Sequence, residues 1–263
     1  MATIARIIVT DSELQNPHQL FADFITESKR LLPENEKHQF ILLPAGFVTF
    51  SIKSDLTHTP LSEPQEEIAK QKWNTKVEAL KEQALAEFHK TFDSEMLKEL
   101  KSVAHYLVIG IDSYVTPNSK DIRIQFVLTY DLQNEKPLHW TGKTYPQPKE
   151  RDCLIKMPIS THFIKEKIGG KRIAIFGCHD LSVFNPRHQR HFSPFDDERK
   201  GIRKDKTAAG KIKCEFIDAT LDFNPDIMLQ LPHDHTITSS RSVRFGKNHT
   251  MPYLTRSRCQ YER

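Results

Sequence analysis

Glycine is scarce in this chain, 9 residues of 263. A phosphate cradle needs several glycines close together, so this scarcity argues against one. The four cysteines, Cys153, Cys178, Cys214 and Cys259, form no CxxC pair. Neither a zinc ribbon nor a thioredoxin-type redox motif is supported. A soluble protein of a reducing compartment is the expected setting, and a cytoplasmic one. Long apolar runs are also lacking. The longest, such as Phe40 to Leu43 and Tyr106 to Ile111, fall far short of the roughly 20 residues that span a bilayer. The N-terminus, MATIARIIVTD, has no basic region followed by a long apolar run, so no secretory signal is visible. Charge of one sign is missing too. The formal net charge is +4, with 38 Lys and Arg against 34 Asp and Glu. The cationic surplus lies beyond Arg187, where acids interrupt it. A solvated loop face explains it better than nucleic-acid binding, and no nucleic-acid partner is expected.

What is present reads as one α/β domain over 1–263, with no internal repeat and no low-complexity linker. Ile4 to Val9 is short and β-rich, as a buried strand is. Asn16-Pro17-His18-Gln19 reads as a helix start, and Pro33 as its stop. Gln39 to Leu43 is the next strand. The β–α–β order makes these two strands parallel neighbours. Ser62 to Gln65 looks like a capping box before an amphipathic stretch, with Asp93 or Ser94 capping a second helix inside it. Tyr106 to Ile111 and Ile173 to Gly177 read as buried strands. Ile122 to Tyr130 alternates like a half-exposed one. Pro137 to Pro148 reads as a loop carrying Trp140, Lys143 and Tyr145. Ile212 to Leu221 has helical spacing, and Asp226 to Leu231 is a last strand.

Functional groups gather at the carboxyl ends of strands in an open α/β sheet. Three such ends stand out: Pro44-Ala45-Gly46, Cys178-His179-Asp180 and Pro232-His233-Asp234-His235. A thiol at a strand end can be activated by backbone N–H groups or a nearby cation. A free Cys after an apolar strand is more often a small buried hydrophobe. Gly142-Lys143-Thr144 is not a phosphate loop, because position 137 is Pro and no helix follows. His233 and His235, or His188 and His191, could be metal ligands. An i, i+2 pair on an extended segment points to opposite faces, which argues against one shared ion. No cofactor is expected.

Taken together, strand–Pro–Ala–Gly, then Trp-Thr-Gly-Lys-Thr-Tyr-Pro, then strand–Gly–Cys–His–Asp, resemble the nitrilase (carbon–nitrogen hydrolase) superfamily. Lys143 and Cys178 stand 35 positions apart, a family-like interval. Asp180, Phe184 and Pro186 match the continuation after the cysteine, and DFNPDIMLQLP resembles a later helix–strand element. The resemblance implies a nitrilase-like α-β-β-α sandwich, truncated or divergent at the C-terminus. It also implies a helical insertion near 62–105 and a charged insertion near 187–213. In such a site Cys178 is the nucleophile and Lys143 the oxyanion cation. The His179 backbone N–H is a second oxyanion donor, and Glu150 is the supporting carboxylate.

The resemblance breaks at one decisive place. The position of the catalytic Glu is Ala45, which cannot move protons. General-base catalysis is worth roughly 10²–10⁴-fold. Glu150, His179 or His233 could replace the base. The expectation is therefore a cysteine hydrolase of small amides or nitriles, working through a thioester and impaired by loss of its base. The alternative is an inactive nitrilase-fold binding or assembly protein. The resemblance also implies a homo-oligomer and no membrane partner.

Overall fold

The β–α–β start lays down one edge of the larger sheet. β1 (Ile4–Arg6) and β2 (His38–Leu42) pair in parallel, and α1 (Pro17–Leu31) connects them. The protein is described by a computed structural model covering residues 3–7, 17–114, 121–146, 150–177, 180, 208–231, 241–244 and 250–253. β4 (Ala104–Ser113) is long enough to hold two strands along one side. β2 runs parallel to its first half and β3 (Val48–Phe50) to its second. Between them the chain turns at Pro44–Phe47, where Gly46 takes a left-handed φ of 69°. Gly110 on β4 makes room for that turn. A Cβ there would collide with Ala45 Cα and lie 2.9 Å from the Pro44 carbonyl oxygen. β5 (Gln125–Asp131) and β6 (Lys136–Gly142) then add antiparallel pairs, for the order β1-β2-β4-β5-β6. Two antiparallel steps return β6 to the direction of β4, so β2, β4 and β6 end at the same edge.

Some local expectations are corrected. Pro137 to Gly142 lies in strand β6, not in a loop. Its Pro137 sits opposite Tyr130, where the register with β5 shifts. An edge strand tolerates a proline because one side of its ladder is unpaired. β5 is buried from Phe126 to Asp131 rather than half-exposed, because layers cover both its faces. The capping box at Ser62 to Gln65 is not used. α2 (Glu67–Thr91) starts beyond it, with Glu66 at the N-cap and no side-chain cap bond. The Asp93 cap does form. Its carboxylate accepts the Met96 N–H at 2.8 Å and opens α3 (Ser94–Val103).

Four layers follow from the alternation of the strands. Leu107, Ile109 and Ile111 of β4 face one way, into a core with Phe21 and Ile25 of α1, Val77, Leu80 and Phe88 of α2, and Leu100 of α3. Burying each large side chain contributes about 1.5–3 kcal/mol. Phe40 and Leu42 of β2, Val108 of β4 and Val127 of β5 face the other way. They meet a second sheet, in which β7 (Ile173–Phe176) pairs in parallel with β8 (Ile227–Gln230), through Ile173, Ile175 and Leu229. The outer face of that sheet, Ala174, Phe176 and Met228, packs on Phe216 and Ile217 of α4 (Ala208–Phe223). The architecture is an α-β-β-α sandwich. A further antiparallel pair, β9 (Arg241–Arg244) and β10 (Thr250–Tyr253), lies beyond β8 in the chain.

Candidate active site

The site is built where β6 and β7 end. Lys143 directly follows β6, and its backbone is held from both sides. Its N–H donates to the Gln125 carbonyl at 2.9 Å, and its carbonyl accepts the Met157 N–H at 3.1 Å. Gly142 must be glycine here, because a Cβ would collide with the Gln125 carbonyl oxygen and lie 2.8 Å from Met157 Cγ. The Lys143 side chain is only 1% exposed, and its Nζ donates to Glu150 Oε2 at 2.5 Å. Burying an ammonium costs several kcal/mol unless an anion meets it, and Glu150 supplies that anion. Glu150 is itself fixed by a helical turn, with its carbonyl accepting the N–H of Leu154 at 2.8 Å. The resemblance places a supporting carboxylate at Glu150, seven residues after Lys143, and the fold brings the two into contact.

The end of β7 lies against the backbone of Lys143. A Cβ added at Gly177 would fall 3.1 Å from Lys143 Cα and 3.2 Å from its amide nitrogen. Cys178 and His179 lie outside the described residues, as do His188, His191, His233 and His235. The residues bracketing Cys178 and His179 are described. Asp180 is fully buried. Its Oδ1 accepts the N–H of Thr144 at 3.0 Å and of Tyr145 at 2.7 Å, and its Oδ2 accepts the N–H of Gly177 at 3.1 Å. One carboxylate therefore ties the segment after Lys143 to the segment before Cys178.

His162 completes this tie, and nothing in the sequence singled it out. It is a lone histidine in Ser160-Thr161-His162-Phe163, with no spacing to mark it. Its ring is fully buried, stacked on Phe176 with centroids 5.4 Å apart and edge-on to Phe216 at 4.8 Å. Nδ1 donates to the Ile175 carbonyl at 2.6 Å. Nε2 lies 2.8 Å from the Thr144 hydroxyl and 3.8 Å from Asp180 Oδ2. The Thr144 hydroxyl also reaches the Met157 carbonyl at 2.5 Å. Burial pushes His162 down from the usual imidazole range, against the pull of Asp180 and the Ile175 carbonyl. Burial pushes the Asp180 carboxyl up, against His162, the two N–H donors of Tyr145 and Thr144, and Lys143.

Ala45 stands in different surroundings. It is 3% exposed and belongs to the apolar cluster of Val108, Val127, Ile175 and Leu229. Among the described residues, no group of three or more His, Cys, Asp or Glu is placed to hold a metal ion. No described helix is long and apolar enough to cross a membrane.

No family model matches the chain, and no curated protein matches it. Solved structures do align with it. One is the amidase from Nesterenkonia sp. AN1 with acrylamide added at its active-site cysteine. It is 14% identical, over 90% of this chain and 66% of that one, with a TM-score of 0.42. A carbon–nitrogen hydrolase from Helicobacter pylori G27 is 9% identical over 90% of this chain and 61% of that one, at a TM-score of 0.45. A further form of the Nesterenkonia AN1 amidase, described as from the nitrilase superfamily, is 15% identical over 71% of this chain and 57% of that one, at 0.34. The chain resembles nitrilase-superfamily amidases. It spans less than two thirds of the length of each of these structures. At such identity and superposition the likeness shows the fold alone and assigns no residue.

Proposed function

We propose that the chain is a carbon–nitrogen hydrolase acting on small amides or nitriles through Cys178. One observation carries this reading. A buried ammonium, Lys143, is held by Glu150 with its backbone against Gly177, the residue before a cysteine at a strand end. A cation fixed in a water-poor site is what a developing oxyanion needs, and it acts there without reorganising. It also favours the thiolate of a nearby cysteine.

In this reading Cys178 Sγ attacks the amide carbon. Lys143 Nζ and the His179 backbone N–H take the negative charge that develops on the carbonyl oxygen. The C–N bond breaks, ammonia or an amine leaves, and water hydrolyses the thioester. Glu150 is a positioning residue that holds Lys143. Asp180 and His162 hold the two segments on which Lys143 and Cys178 stand.

The second reading is a nitrilase-fold protein that binds rather than turns over. The apolar surroundings of Ala45 favour it, because no proton acceptor stands at that position. A homo-oligomer and a cytoplasmic setting belong to either reading.

The test is ammonia release from a panel of small amides and nitriles by the chain as given, by Ala45→Glu and by Cys178→Ala. Release by the chain as given, abolished in Cys178→Ala, is the expected result. Release by Ala45→Glu alone identifies a site intact except for its base. Silence from all three favours the binding reading.

A further inference from the structure

Two polar side chains beside Lys143 carry buried atoms without partners, and the mechanism above uses neither. We propose that Arg123 and Gln125 form a recognition site for a small amide that carries a carboxylate at its far end. The inference rests on the hydrolase reading above and names the substrate class of that same site.

The fold brings both residues to Lys143. Gln125 stands opposite Lys143, one step beyond the Phe126–Gly142 pair, and its carbonyl accepts the Lys143 N–H at 2.9 Å. Arg123 lies two residues before Gln125, and the segment from Cys153 to Met157 ties it to Lys143. The Arg123 N–H donates to the Cys153 carbonyl at 2.8 Å, and the Arg123 carbonyl accepts the Ile155 N–H at 2.8 Å. Two residues on, the Met157 N–H donates to the Lys143 carbonyl at 3.1 Å.

Alternation sets the face. Ile122, Ile124, Phe126 and Leu128 all pack into the helical core. Arg123, Gln125 and Val127 therefore point the other way, where Val127 meets the second sheet. Opposite residues of an antiparallel pair share a face, so the Lys143 side chain leaves the sheet on the same side as Gln125. Strand geometry sets the Arg123 and Lys143 Cα atoms on the order of 9 Å apart, with Gln125 between them.

Chemistry names the ligand. Arg123 Nε and Gln125 Oε1 are buried, and neither has a hydrogen-bond partner among the described residues. A buried polar group without a partner destabilises a fold, and a guanidinium cannot shed its charge. Glu150 is already committed to Lys143 at 2.5 Å. The complement of Arg123 is an anion, and the planar guanidinium fork matches a carboxylate. Gln125 Oε1 is an acceptor beside Lys143. It fits the N–H of a primary amide whose carbonyl oxygen rests on the Lys143 ammonium. The span then asks for a short linear linker of about two to four methylenes between amide and carboxylate. A neutral amide of equal length leaves the guanidinium unanswered, which is what makes such a site selective.

The test compares succinamate with butyramide, which match in length and differ in the carboxylate. Binding is measured by calorimetry on Cys178→Ala, which cannot form the thioester, with and without Arg123→Met. Ammonia release is measured on the parent chain, Arg123→Met and Arg123→Lys, with each thermal midpoint. Succinamate is expected to bind Cys178→Ala at least about tenfold more tightly than butyramide, with the same preference in the parent's kcat/KM. In Arg123→Met both preferences should fall to within about threefold of parity, and Arg123→Lys should keep part of them. The Arg123→Met midpoint should equal or exceed the parent's, because an unpartnered buried group is gone. Equal binding and equal turnover of the two amides overturn the recognition site and leave the hydrolase reading standing. Arg123-dependent binding of succinamate with no ammonia from the parent sinks the hydrolase reading, while the site stands as one that binds. A preference that survives Arg123→Met, or a midpoint well below the parent's, assigns Arg123 to structure and overturns the proposal.

Discussion

Lys143 and Ala45 follow parallel strands of one sheet, at the same edge, in opposite surroundings. Lys143 is a charge in the interior, met by Glu150 and walled by hydrogen bonds. Ala45 is a methyl group in an apolar cluster. A corner that keeps an expensive buried cation beside the end of β7, with a methyl group just past the end of β2, is half polar and half apolar. Polar groups in this corner belong to the Lys143 side, and the Ala45 turn is packed by apolar side chains.

The strongest way to break the comparison is to remove the buried cation. Lys143→Met leaves Glu150 buried without its partner, and the expected loss is about 3–5 kcal/mol of stability in urea unfolding. Lys143→Met/Glu150→Leu replaces the pair with apolar volume and should unfold close to the parent while releasing no ammonia. A double variant as unstable as the single one would show that the pair is not what holds this corner.

The Ala45 side is broken by volume instead. Gly110→Ala drives a Cβ into backbone at Ala45 and Pro44, which no side-chain rotation relieves. A loss of about 1–3 kcal/mol or more is expected, read as a lowered thermal midpoint. An unchanged midpoint would mean that the turn is not packed on β4 as described.

How much of this was readable in the chain differs between the two sides. The β–α–β start, the Asp93 cap and the strand ending at Gly177 carry local signals, and each formed. Lys143 and Glu150 are legible only through the resemblance to the nitrilase superfamily, and their ion pair is seen in the fold. β6 was not readable, because Pro137 reads as a loop signal and the partners that hold the strand, β5 and the turn at Thr161, meet it only in the fold. His162 was not readable either. Its role comes from Phe176, Phe216, Ile175 and Asp180, which the chain brings together only after folding. Residues with purely long-range partners leave no period or spacing in a sequence.

A smaller effect is expected where one carboxylate ties two segments. Asp180→Asn replaces one acceptor oxygen with an N–H₂ that faces backbone donors, at a cost of about 1–3 kcal/mol. The control is Asp226→Asn, at an exposed acid that also accepts a backbone N–H, from Arg172 at 2.7 Å. Surface changes of that kind stay within about 0.5 kcal/mol. Equal effects at the two positions would remove the distinction drawn for Asp180.

The mildest test is pH. Burial lowers the pKa of His38, His89, His105, His139 and His162 below the usual imidazole value. The folded chain therefore binds fewer protons at these sites than the unfolded chain. Stability should be full above about pH 6.5 and should fall as pH drops below it, toward the lowered folded values. Asp180 acts with the opposite sign, because its folded pKa is raised. Its share grows only as pH falls through that raised value toward the ordinary carboxylate range. A stability that rises between pH 7 and pH 5.5 would contradict the histidine account.

The central claim is that Lys143 and Cys178 work in one site. It is tested most directly by quenching the chain in acid during turnover of a small amide and mapping the acylated peptide by mass. The acyl group is predicted on the peptide carrying Cys178, and it should disappear in Lys143→Met/Glu150→Leu. An acyl group on Cys153, Cys214 or Cys259 instead, or undiminished labelling of Cys178 in that variant, would contradict the account.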